Sequence, residues 1–306
     1  MDVLMVGSIA YDSVSSPAGK VEDALGGSAV YAGIASRFHA NYLNLSKIGL
    51  VGVVGKDFLE SDIEMLENQG LDLSGLEIAD GKTFRWEGSY HGDMGVAETH
   101  DTHLNVFGDF NPKVPESSTE PTVLFCANLV PALQAQVLKQ AHGKRLSMLD
   151  SMNLWIEIAR DDLLSVMKSV DLIIINDGEV KMLADDDNLV RAAKKLISMV
   201  DCNSLVIKKG EHGVIAFHQG GMIALPAYPT ELVVDPTGCG DSFAGTIAAY
   251  LASGSGDVSR DELREALVRA TVTASFTLES FGTSGLLSLD NDLFEERLSQ
   301  FRAIVG

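Results

Sequence analysis

Leu232-Val233-Val234-Asp235-Pro236-Thr237-Gly238-Cys239-Gly240-Asp241-Ser242-Phe243-Ala244-Gly245-Thr246-Ile247-Ala248-Ala249-Tyr250-Leu251 reads as strand, glycine loop and helix. Leu232 to Val234 is a short apolar, partly β-branched run, Pro236 and Gly238 break it, and from Ser242 an Ala-rich segment has helical composition, weakened only by Gly245 before Gly254. Gly238 and Gly240 remove side chains where the backbone must turn. The N–H groups of Gly238, Cys239, Gly240 and Asp241 are then expected to stand free at the positive end of the helix dipole, which makes an anion cradle. Asp241 puts a carboxylate inside that cradle, where a structural turn would more naturally carry Ser or Thr. A base beside a phosphate site points to phosphoryl transfer. For so short a glycine motif, an ordinary helix-capping aspartate is the alternative.

Working outward, 306 residues with 46% hydrophobic content suit one large α/β domain over 1–306 that carries a smaller insertion. With 43 acidic against 23 basic residues the net charge is −20, which argues against nucleic acid and anionic membranes as partners. It leaves open a nucleotide held locally by helix N-termini and a magnesium ion. Cys126, Cys202 and Cys239 lie far apart without metal-ligand spacing and suggest a reducing compartment. The opening residues lack a signal-peptide pattern, and nothing downstream approaches a membrane-spanning length, so a cytoplasmic location is expected.

From the start of the chain, Val3 to Val6 is a buried-type strand ending at Gly7-Ser8, with Asp12 following. The Gly-x-Gly-x-x-Gly fingerprint of a dinucleotide-binding Rossmann unit is missing, which weakens an oxidoreductase reading. Asp12 is suited to accept hydrogen bonds from polyol hydroxyls, or is a turn aspartate. Gly26-Gly27 opens a helix to about His39 that carries Tyr31, either a core tyrosine or an aromatic face for a ligand. Ser46 to Gly55 reads as strand and turn, and Leu59, Ile63 and Leu66 as one helix face. Thr83 to Tyr90 alternates, with Phe84, Trp86 and Tyr90 on one face and Arg85 and Glu87 on the other. His91, His100 and His103 lie in a polar segment with no periodicity to converge them on a metal.

Beyond Pro115, apolar runs at Val123–Ala127, Leu146–Leu149, Asp171–Ile175 and Leu205–Lys208 alternate with helical segments, the pattern of a parallel, doubly wound sheet. Asn128, Asp150, Asn153, Asn176 and Asp235 all fall beyond carboxyl ends of strands, where such sheets bind ligands. Asn176-Asp177-Gly178-Glu179 is a capping box in form, or an oxygen-rich edge for hydrated magnesium. Ser259-Arg260-Asp261-Glu262 is a second capping-box form at the start of a long helix. A last amphipathic helix covers Asp290 to Phe301.

The run from Asp235 to Asp241 closely resembles the second signature of the ribokinase-like (PfkB) sugar kinase family, Asp-Thr-x-Gly-Ala-Gly-Asp, with Pro236 and Cys239 as departures. Gly26-Gly27 resembles the first signature, Gly-Gly-x-x-x-Asn-x-Ala, with Tyr31 close to where the family has Asn. Asn176 to Glu179 matches the family's Asn-x-x-Glu, and Lys208-Lys209-Gly210-Glu211-His212-Gly213 resembles its glycine turn beside the nucleotide.

The resemblance implies a three-layer, doubly wound, mostly parallel sheet with a small β-sheet lid formed by about 11–24 and 80–107. It also implies ATP-dependent phosphorylation of a primary hydroxyl on a small sugar or polyol. A nucleoside kinase, or a non-catalytic nucleotide or sugar sensor, is the alternative on the same fold. By resemblance Asp241 is the base and Gly238, Cys239 and Gly240 complete the charge-stabilising loop. Asp12, Gly26, Gly27, Tyr31, Arg85, Asn128 and Asn153 become substrate contacts, and Asn176, Glu179, Lys209, Gly210, Gly213 and Thr237 nucleotide contacts. Glu179 and Asn176 would hold Mg2+ through water. Asp235 and Thr237, with the Thr273 to Ser284 region near the adenine, would hold a monovalent cation such as K+. An apolar lid face is compatible with a homodimer.

Overall fold

A computed structural model describes every residue from Met1 to Gly306. In chain order the strands are β1 Val3–Val6, β2 Ala10–Ser16, β3 Gly19–Gly26, β4 Ile48–Gly55, β5 Leu71–Ala79, β6 Phe84–Tyr90, β7 Ala97–His103, β8 Val123–Cys126, β9 Leu146–Asp150, β10 Leu172–Asn176, β11 Ser204–Lys208, β12 Val214–His218 and β13 Gly221–Leu225. The helices are α1 Ser28–Tyr42, α2 Glu60–Asn68, α3 Pro131–Gln140, α4 Asn153–Ile158, α5 Arg160–Met167, α6 Asp177–Ala184, α7 Leu189–Val200, α8 Cys239–Ala252, α9 Arg260–Leu278, α10 Ser284–Leu287 and α11 Asn291–Val305.

The main sheet has nine strands in the order β13-β12-β11-β10-β9-β8-β1-β4-β5. All neighbours pair parallel except at β11–β12 and β12–β13. The central strands β1, β8 and β9 are buried along their whole length, as continuous apolar runs in a sheet covered on both faces require. Alternate residues of β1 serve opposite cores: Val3 and Met5 join a core with α1, α8, α9 and α11, while Leu4 and Val6 join one with α3. Strands β9 to β11 have a third cluster against α5, α6 and α7. These are the three layers expected for an α/β fold of the ribokinase type. No helix is long and apolar enough to cross a membrane.

A second sheet of four strands, ordered β3-β2-β6-β7, is built from residues within the 11–24 and 80–107 segments and their flanks. Ser13 to Ser16 belongs to β2 despite its polar composition, and Pro17 and Ala18 form the turn into β3. Trp86 and Tyr90 share an apolar cluster with Val14 and Met94, whereas Phe84 stacks on Phe107. A register shift between Glu87 and Gly88 lies between Phe84 and Tyr90.

Helices α1 and α8 set the geometry of the site, because both begin at glycine loops and pack side by side. A Cβ on Gly245 would lie 2.2 Å from the Ala32 carbonyl oxygen, and the Ser36 hydroxyl donates to the Gly245 carbonyl, so the two helices touch backbone to backbone. The glycine that weakens α8 as a helix is what allows this contact.

Three local expectations are corrected. Leu232 to Val234 is not a strand: Leu232 and Val233 are exposed, and Val234 and Asp235 donate their N–H groups to the Leu278 carbonyl as a strap across the end of α9. It pairs with no strand of either sheet, and β-branched composition alone does not make it one. The long helix after Ser259 has half a capping box, since Ser259 caps the Glu262 N–H but the Glu262 carboxylate pairs with Arg145. Thr273 lies in the core, with its hydroxyl 2.8 Å from Nε2 of His39, a buried imidazole whose pKa is pushed down to about 3 chiefly by loss of hydration.

Candidate active site

Gly238 adopts a left-handed conformation (φ 76°, ψ −5°), and α8 starts at Cys239, three residues earlier than composition suggests. Asp241 therefore already sits in the first helical turn. The N–H groups of Gly238, Gly240 and Asp241 have no backbone acceptor, but the Cys239 N–H donates to the Pro236 carbonyl at 3.2 Å, which removes it from the cradle. The Cys239 thiol, 3.6 Å from the Ala274 carbonyl, has its pKa raised by burial.

The loop rests on Tyr31. A Cβ on Gly238 would lie 2.3 Å from its ring, and Gly26 approaches the other edge of the same ring. The ring is 1% exposed and its hydroxyl has no hydrogen-bond partner, so Tyr31 is a buried wedge between the two glycine loops and offers no face to a ligand. Gly27, at φ 90° and ψ 152°, caps α1, and a side chain there would meet the Ser8 carbonyl. Gly26 leaves room for Asp12, whose Oδ2 lies 2.0 Å from where a Cβ would stand.

Asp12 lies within electrostatic reach of both Asp235 and Asp241. Asp12 is buried, and its pKa is pushed up to about 7 by loss of hydration, with the Gly27 N–H pulling the other way. Asp241 is half-buried and is likewise pushed up to about 7 by loss of hydration and then by the Asp150 charge, with Lys208 pulling the other way. Asp235 is fully buried and holds the Thr237 N–H on one oxygen and the Gly282 N–H on the other, which brings the strap to the turn before α10. Thr237 donates its hydroxyl to Tyr90 of β6 at 3.3 Å, and Ser16 of β2 donates to the Val234 carbonyl at 2.6 Å, so the small sheet touches the loop at two points.

At the ends of β10 and β11 the capping box forms: Asn176 Oδ1 accepts the Glu179 N–H and Glu179 Oε2 accepts the Asn176 N–H, both at 2.8 Å. Glu179 is buried and pushed up to about 7, chiefly by loss of hydration. Lys208, at the end of β11, reaches in from the same edge. Its Nζ is 3.0 Å from Asp150 Oδ2 and lies 3.0 Å from where a Cβ on Gly240 would stand.

Sequence reasoning placed Asp150 at a strand end without a role and put both Lys208 and Lys209 within reach of phosphate, choosing Lys209. Asp150 and Lys208 stand at strand ends, but the strand order that brings them together is not written in either motif. Lys209, the neighbour favoured from sequence, has no side-chain partner. Gly210 is exposed and open, and Gly213 is needed because a side chain there would meet the Leu225 carbonyl.

Three further residues are engaged elsewhere or stand apart. Arg85 donates to Asp57 at 2.7 Å and Asp23 at 3.1 Å and lies over the Tyr11 ring, tying the small sheet to the turn before α2. Asn128 accepts the Trp155 indole N–H and donates to Met152 Sδ. Asn153 is exposed at the start of α4. His91 and His100, contrary to expectation, do converge, each placing Nε2 within 3.0 Å of the Ser89 hydroxyl, while His103 pairs with Asp101. The β6–β7 hairpin supplies the proximity that the loop's composition hides.

A pH effect on stability follows from Asp12 and Asp241. Their folded pKa values lie above the ordinary 3.8, so the stability they contribute is fully present below about pH 4 and is lost as pH rises through about 7. Asp241→Asn is accordingly expected to raise the melting temperature of the ligand-free protein by about 4–8 °C at pH 8 and by less than half that at pH 5. Thermal melts at the two pH values check this; a lower melting temperature at pH 8 would refute it.

The sequence matches the family described as pfkB family carbohydrate kinase over residues 125–289. A cytidine kinase of Thermococcus kodakarensis is 30% identical over 267 residues, covering 83% of this chain and 90% of that protein. Among solved structures, a nucleoside kinase of Methanocaldococcus jannaschii superposes with a TM-score of 0.77 at 19% identity, over 98% of this chain and 99% of that one. An E. coli structure assigned as a ribokinase II, in complex with ATP and Mg2+, gives a TM-score of 0.74 at 17% identity, over 97% and 99% of the two chains.

Proposed function

The chain belongs to the pfkB family of carbohydrate kinases, and from that premise we propose that it transfers the terminal phosphoryl group of ATP to the primary hydroxyl of a nucleoside. The observation that carries the kinase chemistry is Asp241, half-buried in the first turn of α8 amid amide N–H groups without acceptors and within reach of Asp12. The acceptor hydroxyl gives its proton to the Asp241 carboxylate as its oxygen bonds to the terminal phosphorus. The phosphorus–oxygen bond to the β-phosphate breaks, and its electron pair leaves with ADP. The Gly238, Gly240 and Asp241 N–H groups hold the charge that gathers on the transferring oxygens.

Asp12 holds the acceptor. The four-stranded sheet serves as the lid that excludes water, resting on the loop through Tyr90 and Ser16. Mg2+, when bound, offsets the charge of the phosphates. No three carboxylate, imidazole or thiolate side chains converge to coordinate it directly, and Asp150 is paired with Lys208. Asn176 and Glu179 are the residues to hold it through water, since the capping box engages only one oxygen of Glu179. Asp235 and Thr237 are the groups to which a monovalent cation would bind.

The nucleoside, rather than a free sugar, is favoured by the cytidine kinase relative, which this chain matches over 90% of its length. Base stacking on Tyr31 is no part of that reading, because the ring is buried under Gly238. The test is ADP release from Mg-ATP with cytidine, other nucleosides, ribose and fructose. Turnover with a nucleoside is the expected result. Turnover with sugars alone would move the acceptor class, and acceptor binding without ADP release would overturn the kinase in favour of a sensor.

A further inference from the structure

His91 and His100, on the small sheet, take no part in the phosphoryl chemistry, yet they meet at one atom. Each places its Nε2 against the Ser89 hydroxyl, at 3.0 and 2.8 Å, and Ser89 is itself only 2% exposed. Two features of the β6–β7 hairpin bring them there. Ser89 and His91 are alternate residues at the end of β6 and so share a face. On β7 the ladder pairs Gly88 with Thr99 but Glu87 with Asp101, which makes His100 the extra residue of a bulge, and a bulge re-aims the side chain it carries. A serine hydroxyl has a single proton, so it donates to only one of the two rings and the other must donate to it. Both rings are exposed, which lets each Nδ1 carry its proton in water while Nε2 turns a lone pair inward. Glu98 stands directly across from Ser89 in the ladder and therefore on the same face, exposed and without an ion pair.

We propose that His91 and His100 are the two fixed ligands of a site for a divalent transition metal of the zinc or nickel class, with the Glu98 carboxylate turning in as the third and water completing the shell. Imidazole nitrogen beside carboxylate oxygen suits these ions, whereas magnesium and calcium take oxygen donors. The net charge of −20 draws dications in general, and the paired imidazoles select among them. The ion replaces the hydrogen bonds to Ser89 and ties the end of β6 to β7. Tyr90 lies between Ser89 and His91 and accepts from Thr237, so a bound ion stiffens the point at which the small sheet rests on the catalytic loop.

The experiment is calorimetry with ZnCl2 and NiCl2 on the full chain, in the presence and absence of excess MgCl2, for wild type, His91→Ala, His100→Ala, Glu98→Gln and His103→Ala. Wild type is expected to bind one Zn2+ or Ni2+ with micromolar affinity, undiminished by Mg2+. His91→Ala and His100→Ala should each weaken binding at least about tenfold, and Glu98→Gln about tenfold. His103→Ala should leave it unchanged, because that ring is held by Asp101. All four side chains are exposed, so the variants are expected to fold. Zn2+ at about a hundredfold excess over its dissociation constant should raise the wild-type melting temperature by about 5 °C, and should not raise that of the protein carrying both His91→Ala and His100→Ala. None of these readouts requires turnover. Absence of Zn2+ and Ni2+ binding to wild type would overturn the proposal, as would affinity unchanged in both imidazole variants or lost equally in His103→Ala. Unchanged affinity in Glu98→Gln would remove the carboxylate from the ligand set.

Discussion

Asp241→Asn is expected to lower kcat by about 10²–10⁴-fold while the KM for ATP stays within about threefold. The replacement is nearly isosteric, so the α8 N-terminus keeps its shape and the Gly238 and Gly240 N–H groups remain free for phosphate. What disappears is the group that takes the acceptor's proton. Steady-state ADP release with the preferred acceptor, with ATP and acceptor varied in turn, measures both constants. Turnover within tenfold of wild type would remove Asp241 from the base role. The wild-type profile carries a related signature: with the free carboxyl titrating at about 7, kcat/KM should climb as pH rises through that value, because only the ionised form accepts a proton.

Gly238→Ala should be nearly as damaging, through shape alone. At φ 76° a side chain is strained, and its Cβ would stand 2.3 Å from the ring of Tyr31. The ring has nowhere to go, being 1% exposed and hemmed in by Gly26 on its other edge. Loss of about 2–4 kcal/mol in stability and at least about 10²-fold in turnover is expected, since the loop must shift to relieve the clash. Gly256→Ala is the control: it has a similar φ of 68° with no atom within 4 Å, so it should cost only about 1 kcal/mol and spare turnover. Equal effects of the two substitutions, measured by melting temperature and ADP release, would refute the wedge.

The central strands and the catalytic loop were legible because their signals are local. Val3–Val6 and Leu172–Ile175 are unbroken apolar runs, and Asp241 announces itself beside two glycines. The antiparallel end of the sheet and its far edge were not: β12, β13 and β5 went unassigned, each only partly buried. Asn176 and Glu179 were read from a motif and Asp12 from its place after the first strand, and each is buried or half-buried near a strand's carboxyl end. Lys208 was passed over for Lys209 because neither lysine's local sequence says which one points along the sheet toward Asp150. The partners of Arg85 and Asn128 were hidden for the same kind of reason, since Asp57 and Trp155, which engage them, are distant in sequence and near only after folding.

The backbone contact between α1 and α8 divides the molecule in a way that bears on how such an enzyme can diversify. Both glycine loops are carried on one rigid pair of helices, and the seam at Ala32 and Gly245, one helical turn beyond Asp241, sets how closely the two loops approach. The four-stranded sheet meets the loop only through the side chains of Ser16 and Tyr90. Substitutions on the small sheet away from Asp12, Ser16 and Tyr90 are therefore expected to leave the glycine loops where they are, which lets one half of the molecule vary while the other holds still.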